Sequence, residues 1–257
     1  MREGLGSQLV DFLLPPACAA CGGAVPPAER GRADASGRPE RSRVCTGCAL
    51  RLRALPHPRC ARCDAPRGTG LPPDRECAEC REWPPILLSA MSATVLQFPA
   101  DRLVHGLKYG GWPSLARDLG GRMAGLLVPV PPGSPAPLVV PVPTTPGRLR
   151  ARGYNQARLL AEEVARRAGG TLVDALSRAD RGGSQVALQR EERRANVQGA
   201  FSVRAEAAAS IRGCEILLVD DVLTTGATAS AAALSLSEGG ATGVRLLTFA
   251  RSLPAAV

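Results

Sequence analysis

Residues 215–228 read Glu-Ile-Leu-Leu-Val-Asp-Asp-Val-Leu-Thr-Thr-Gly-Ala-Thr and gather the most chemically pointed groups of the chain. The apolar run 216–219 is too short for a helix and has the unbroken character of a strand buried on both faces. Asp220 and Asp221 follow where that strand is expected to end. Thr224, Thr225, Gly226, Ala227 and Thr228 form a hydroxyl- and glycine-containing turn, and the Ala/Leu/Ser run over 229–238 reads as a helix. A strand, such a turn and a helix N-terminus make a seat for an anion, because unpaired backbone N–H groups and the helix dipole both face it. Thr225 and Thr228 add hydroxyl donors, and Gly226 lets the backbone come close. Two carboxylates beside that anion have no purpose for a plain phosphate. They suit a phosphate carried on a diol, since ionised Asp only accepts hydrogen bonds and a ribose offers two O–H donors. A strand–turn–helix corner with a Thr cap and two surface aspartates is the plainer alternative.

The nucleotide-binding patterns G-x-x-x-x-G-K-[ST] and G-x-G-x-x-G do not occur in the chain. The order found instead is four apolar residues, two acids, two apolar residues and a Thr/Gly turn. It is similar to the 5-phosphoribosyl-1-diphosphate (PRPP) loop of type I phosphoribosyltransferases, in which Val222 and Leu223 would lead into the phosphate turn.

A length of 257 residues fits one domain of ordinary size and a smaller module. The net charge of +9 suits an anionic ligand or nucleic acid and decides for neither. Lys108 is the only lysine among many arginines. An ammonium is a point charge and a guanidinium a planar fork, so a lone lysine is a candidate ligand-facing group. At the N-terminus Glu3 follows Arg2 and Asp11 interrupts the apolar stretch, unlike a secretory signal. No run approaches the roughly 18 apolar residues of a membrane span. A cytoplasmic location with no membrane partner is expected.

Eight of the nine cysteines form C-x-x-C pairs within residues 1–82: Cys18/Cys21, Cys45/Cys48, Cys60/Cys63 and Cys77/Cys80. Two-residue spacing lets both thiolates of a pair grip one tetrahedral metal from a tight turn. Four pairs predict two structural zinc sites of four cysteines each; disulfides are the weaker reading in a cytosolic chain. Sequential grouping would join Cys18/Cys21 with Cys45/Cys48 and Cys60/Cys63 with Cys77/Cys80, and an interleaved grouping satisfies the same spacing. Residues 22–43 and 64–76 have little to bury, so metal must supply the ordering energy, on the order of 10–16 kcal/mol per site in small peptides. Arg exceeds the acids only slightly here, and eight thiolates with two divalent ions erase the excess. Partner contact, or packing on the rest of the chain, is therefore expected ahead of a nucleic-acid surface.

Residues 83–257 are expected to form the second domain, beginning at Pro84-Pro85. Strands are predicted within 87–98, at 138–140, 201–203, 216–219 and 244–249, and helices over 100–107, 115–128, from about Arg152 to Ala168, and 229–238. Alternating strands and helices predict an α/β fold with a largely parallel sheet. Ligands of such sheets sit beyond the C-terminal strand ends, where both Pro141 and Asp220/Asp221 fall. Arg148, Arg150 and Arg152 gather at the expected start of a helix, where cations oppose the dipole unless an anion is present. Residues 181–199 are polar and basic with paired glycines, as a lid over an anion would be.

Together these features resemble the ComF (ComF/GntX) family, type I phosphoribosyltransferase-like proteins with an N-terminal double zinc ribbon. The residues that carry the resemblance are the C-x-x-C pairs, Leu107-Lys108-Tyr109, Val140-Pro-Val-Pro143, Arg152-Gly-Tyr-Asn-Gln156, Arg193-x-x-Asn196 with Phe201, and residues 217–228. The resemblance implies that Thr224 to Thr228 hold the 5′-phosphate of PRPP, and that Asp220 and Asp221 hold the ribose hydroxyls as the catalytic acids. Val142-Pro143-Thr144 would be the pyrophosphate loop, and Gln185, Arg193 and Asn196 would belong to the flexible catalytic loop. Lys108, Tyr109, Arg152 and Asn155 complete the implied PRPP contacts, with Mg2+ accompanying PRPP. It also implies a link to DNA uptake in competence, with single-stranded DNA or DNA-uptake proteins as partners. A non-catalytic accessory protein binding PRPP or single-stranded DNA is the other reading. Two departures stand out: Thr144-Thr145-Pro146 replaces a bulky or basic residue often found there, and Gly182-Gly183-Ser184 replaces an expected Thr and Pro.

Overall fold

The computed structural model describes residues 17–25, 42–68, 77–128, 133, 135–179 and 199–253. In chain order its elements are α1 (Thr46–Leu50), β1 (Leu87–Val95), α2 (Ala100–Tyr109), α3 (Leu115–Ala124), β2 (Leu138–Pro141), α4 (Pro146–Arg152) and α5 (Gln156–Ala168). There follow β3 (Thr171–Leu172), β4 (Leu176–Arg178), β5 (Phe201–Val203), α6 (Ala208–Ile211), β6 (Glu215–Leu223), α7 (Ala227–Glu238) and β7 (Gly243–Arg251). One sheet has the order β1-β7-β6-β2-β3, and all its neighbours run parallel. This is the α/β fold with a parallel sheet that the alternation of strands and helices predicts.

The apolar runs form strands here because both faces of the sheet are covered, so successive side chains bury in opposite directions. Along β6, Ile216 and Leu218 join one core with Ala232, Ala233 and Leu236 of α7. Leu217 and Val219 join the other, with Leu103 and Leu107 of α2, Leu119 of α3 and Leu160 and Val164 of α5. The second layer is tight where α3 meets α5: a Cβ on Gly120 would stand 2.8 Å from Glu163 Cβ.

Four sequence expectations are corrected. β6 does not end at Val219 but continues through Leu223, so the two aspartates are strand residues on opposite faces. The helix expected over 115–128 ends at Ala124. The basic stretch is two helices, separated by Gly153 in the left-handed region at φ 82°. Arg150 and Arg152 thus lie in the last turn of α4, where the dipole favours cations, and only Arg148 of the three stays in the first turn of a helix. Finally, β5 pairs antiparallel with β4 in a separate ribbon and takes no part in the main sheet.

The cysteine segments pack directly on the α/β part. Cys18 and Cys48 belong to the α2/α3/α5 core, whereas Cys60, Cys63 and Cys80 belong to the α7 core, so the two cysteine groups cover opposite faces of the sheet. Polar ties hold the first group in place: Arg43 N donates to Asp118 Oδ2 (2.8 Å), and Arg122 donates to Leu52 O (2.9 Å). Among the described residues, no helix is long and apolar enough to cross a membrane.

Candidate functional site

The C-terminal end of β6 opens into a cavity of about 520 Å³, within the range of small-molecule sites. Asp220 and Asp221 both line it. Strand alternation turns Asp221 toward α2, where the sole lysine ends the helix: Lys108 Nζ stands 2.8 Å from Asp221 Oδ2. Asp221 is only 3 % exposed, and Oδ2 has this ion pair but no aligned hydrogen-bond donor among the described residues. Asp220 is half-buried, and its Oδ1 accepts from Asp221 N (2.8 Å). Desolvation first, and the adjacent Asp221 carboxylate second, raise the Asp220 carboxyl well above the ordinary carboxylate range, despite Lys108.

Beyond β6, Thr224 and Thr225 are exposed, and Gly226 caps α7 in the left-handed region at φ 83° without contributing a side-chain oxygen. Thr225 Oγ1 accepts weakly from Ala227 N (3.4 Å). The first turn of α7 thus has no side-chain cap from Gly226, and Thr224 and Thr228, on either side of its start, line the cavity. Leu223, buried at 2 %, is a core residue that anchors the turn and does not reach the cavity.

The opposite wall is the exit from β2. Val142 N extends the ladder to Val219 O (2.9 Å), after which Pro143 and Thr144 line the cavity. Thr145 caps α4 by accepting from Arg148 N (3.4 Å). Asn155 was expected among the ligand contacts, but both ends of its amide are engaged. Its Oδ1 accepts from Ala157 N (3.2 Å), and its Nδ2 donates to Val142 O (3.1 Å), so it holds this wall in place. Tyr154, in the same motif, donates to Leu107 O (2.6 Å) and ties the α4–α5 corner to the end of α2 that carries Lys108.

The cavity thus brings together Lys108, Tyr109, Val142, Pro143, Thr144, Arg152, Asp220, Asp221, Val222, Thr224 and Thr228 of the expected set. Thr225, Gly226 and Ala227 form the backbone of the turn behind it. Gln185, Arg193 and Asn196, with the rest of the expected lid, lie outside the described residues. Polar groups that line the cavity outside the expected contacts are Asp101, His105, Arg148 and Arg178, and Gln156, which the sequence offered only as part of a motif. His105 lies one helical turn before Tyr109, their rings 5.1 Å apart, while the Arg152 guanidinium lies 5.3 Å over the Tyr109 ring and donates to Gln156 Oε1. The i, i+4 spacing of His105 and Tyr109 was the readable signal. Arg178 arrives from the β4–β5 ribbon, stacked on Phe201 at 5.1 Å, and has no local motif to announce it. Lys108, Arg148, Arg152 and Arg178 against the adjacent Asp220 and Asp221, with Asp101 at the α2 side, make a cavity suited to a polyanion with a hydroxylated centre.

The cysteines group sequentially, Cys18/Cys21/Cys45/Cys48 and Cys60/Cys63/Cys77/Cys80, each set with sulfurs within 4.8 Å. Sulfur separations of 3.7 Å (Cys21–Cys45), 3.8 Å (Cys60–Cys80) and 3.7 Å (Cys63–Cys77) match the edge of about 3.8 Å that four sulfurs make around tetrahedral zinc. Disulfide sulfurs stand only about 2.05 Å apart. Desolvation opposes ionisation of Cys18, but the N–H groups of Cys45, Cys21 and Ala20 outweigh it and bring the thiol down to about 6. Cys60 is likewise brought to about 7, against desolvation, chiefly by the N–H groups of Cys63 and Arg62. Each set thus has a thiol poised as the thiolate that metals bind, and each can hold one zinc ion.

No family model matches the chain. Among curated proteins it is 28 % identical over 214 residues to the DNA utilization protein YhgH of Salmonella typhi, covering 82 % of this chain and 91 % of that protein. It is 26 % identical over 221 residues to the protein of the same name in Escherichia coli strain K12, with coverage of 82 % and 91 %. Among solved structures, TT1426 of Thermus thermophilus aligns with TM-score 0.31 and 23 % identity over 55 % of this chain and 85 % of that one. A hypoxanthine phosphoribosyltransferase of Staphylococcus aureus aligns with TM-score 0.30 and 12 % identity over 58 % and 76 %. The glutamine PRPP amidotransferase of B. subtilis gives TM-score 0.34 and 20 % identity over 51 % of this chain; the match spans 25 % of that longer chain. The strand order makes the fold α/β with a parallel sheet.

Proposed function

We propose that the cavity binds PRPP and that the protein transfers its phosphoribosyl group to an acceptor nucleophile, releasing diphosphate. One observation carries the reading: two adjacent acids near the C-terminal end of β6 line the same cavity as Thr224 and Thr228, which flank the start of α7. The turn formed by Thr224, Thr225, Gly226, Ala227 and Thr228 would take the 5′-phosphate, and Asp220 and Asp221 the two ribose hydroxyls. Pro143 and Thr144 would face the diphosphate, with Arg152 and Arg178 supplying charge. Lys108, which in the free protein offsets the Asp221 charge, is within reach of the same ligand.

In the reaction the bond from ribose C1 to the diphosphate oxygen breaks with its electron pair leaving on diphosphate, and the acceptor lone pair forms the new bond to C1. Positive charge grows at the ribose meanwhile, and carboxylates beneath the ring favour that state over the ground state. Asp220, held partly protonated by its surroundings, serves best once ionised as a pure acceptor for the diol. No protein nucleophile is needed. Mg2+ is a hard cation that takes oxygen ligands; the diphosphate and, once ionised, Asp220 would hold it, and it would neutralise the leaving diphosphate.

The relatives' name, DNA utilization protein, supports a second reading: a PRPP- or single-stranded-DNA-binding accessory of DNA uptake, acting in the cytoplasm without transfer. A diphosphate-release assay with Mg-PRPP against nucleobases, ammonia and single-stranded nucleic acids separates the two. Acceptor-dependent release above the acceptor-free rate is expected. PRPP binding without release for any acceptor in the panel would favour the accessory role.

A further inference from the structure

Trp83 joins the second cysteine group to the turn at 224–228. It follows Cys80 by three residues, and its N–H donates to Cys80 O (3.0 Å). Arg62, between Cys60 and Cys63, donates to Trp83 O (3.2 Å), Pro84 O (2.9 Å) and Cys80 O (3.1 Å), so two cysteine loops grip the backbone around this residue. The indole is 7 % exposed, and its Nε1 donates to Thr225 O (3.2 Å). Its ring lies against Gly226 so closely that a Cβ there would stand 2.5 Å from Cε2 and Nε1. Gly226 is thus glycine both for its positive φ and because the indole occupies the side-chain space.

An independent contact braces the other end of the turn. Arg251, 2 % exposed, closes β7 beside Leu223, and Ser252 N donates to Leu223 O (2.9 Å). The Arg251 guanidinium donates to Cys63 O (2.6 Å) and stands 3.8 Å from Glu79, which lies between Cys77 and Cys80. Residues 224–226 are therefore held at both ends by the loops that carry the four thiols.

We propose that metal occupancy of Cys60/Cys63/Cys77/Cys80 and anion binding at the 224–228 turn are thermodynamically linked, with Trp83 as the positioning residue between them. The link rests on reading that turn as the phosphate seat of PRPP. An ion in the cluster fixes the loops around Cys63 and Cys80. Without it, nothing draws the four sulfurs together, the loops that hold Trp83 loosen, and the support under Thr225 and Gly226 is lost. By reciprocity, an anion that orders the turn must tighten metal binding at this cluster and leave the cluster on the other face of the sheet untouched.

The test uses the full chain with Trp112→Phe, which leaves Trp83 as the only tryptophan. Zinc release to a coloured chelator is followed together with Trp83 emission, so that the equivalent whose loss shifts the emission is identified with this cluster. Saturating Mg-PRPP is expected to raise the chelator concentration needed to remove that equivalent at equilibrium by at least about fivefold, the lower end of ordinary coupling. Trp83→Phe, which keeps an aromatic ring but loses the N–H donor, should reduce the protection. Gly226→Ala, without any ligand, should speed release of the same equivalent. Calorimetry on the zinc-loaded chain runs in parallel. If PRPP does not bind there, the functional reading fails, and the Gly226→Ala rates still decide the coupling. Unchanged release of both equivalents in Gly226→Ala, or PRPP binding without protection, overturns the proposal.

Discussion

Asp220 and Asp221 are neighbours in sequence with different surroundings, because β6 turns one toward the α7 side and the other toward Lys108. The raised Asp220 carboxyl makes a signed expectation. Above the ordinary carboxylate pKa of about 3.9 the folded protein retains a proton that the unfolded chain has lost, so this group's contribution to stability is complete at low pH. It declines as pH rises through the displaced pKa. Asp220→Asn should therefore gain thermal stability relative to wild type between pH 5 and pH 9, as melting temperatures across that range would show. A constant difference would contradict the assigned cause. Lys108→Met leaves the buried Asp221 charge uncompensated and should cost about 2–3 kcal/mol in denaturant unfolding, with much of it recovered in Lys108→Met/Asp221→Asn. Lys108 was legible as the only lysine, and the aspartates from their place after an apolar run. Arg178 was not, being one arginine among many whose position depends on a ribbon formed by distant segments.

At the scale of elements, unbroken apolar runs gave the strands their places, but charge hid the true end of β6. An Asp-Asp pair reads as a strand terminus until a cation from another element, here the end of α2, offsets the burial of Asp221. The break between α4 and α5 depended on Gly153 adopting a positive φ, which the flanking basic residues did not signal. Packing between α3 and α5 depends on a glycine of another kind. Gly120 lies against the Glu163 side chain, and Leu160 O is 3.2 Å from where a Cβ would sit. Gly120→Ala should destabilise by about 1–3 kcal/mol through overpacking, read as a lower denaturant midpoint with an unchanged slope.

For the molecule as a whole, the C-x-x-C spacing identified the thiols, but which pairs meet was settled only in three dimensions. The two clusters lie on opposite faces of one sheet and each enters a different core. Metal analysis should return about two zinc ions per chain. Chelation should disturb the whole structure: the far-ultraviolet circular dichroism of the sheet should melt at a lower temperature once zinc is removed. A metal-free chain with an unchanged sheet transition would show that the cysteine segments are accessory to the fold.

The proposed ribose-phosphate clamp is tested most directly by calorimetric titration of Mg-PRPP into wild type and into Asp220→Asn/Asp221→Asn, both zinc-loaded. Loss of most of the affinity in the double variant, with its fold intact by circular dichroism, is the expected result. Equal binding by the two proteins, or no binding by wild type, would contradict it.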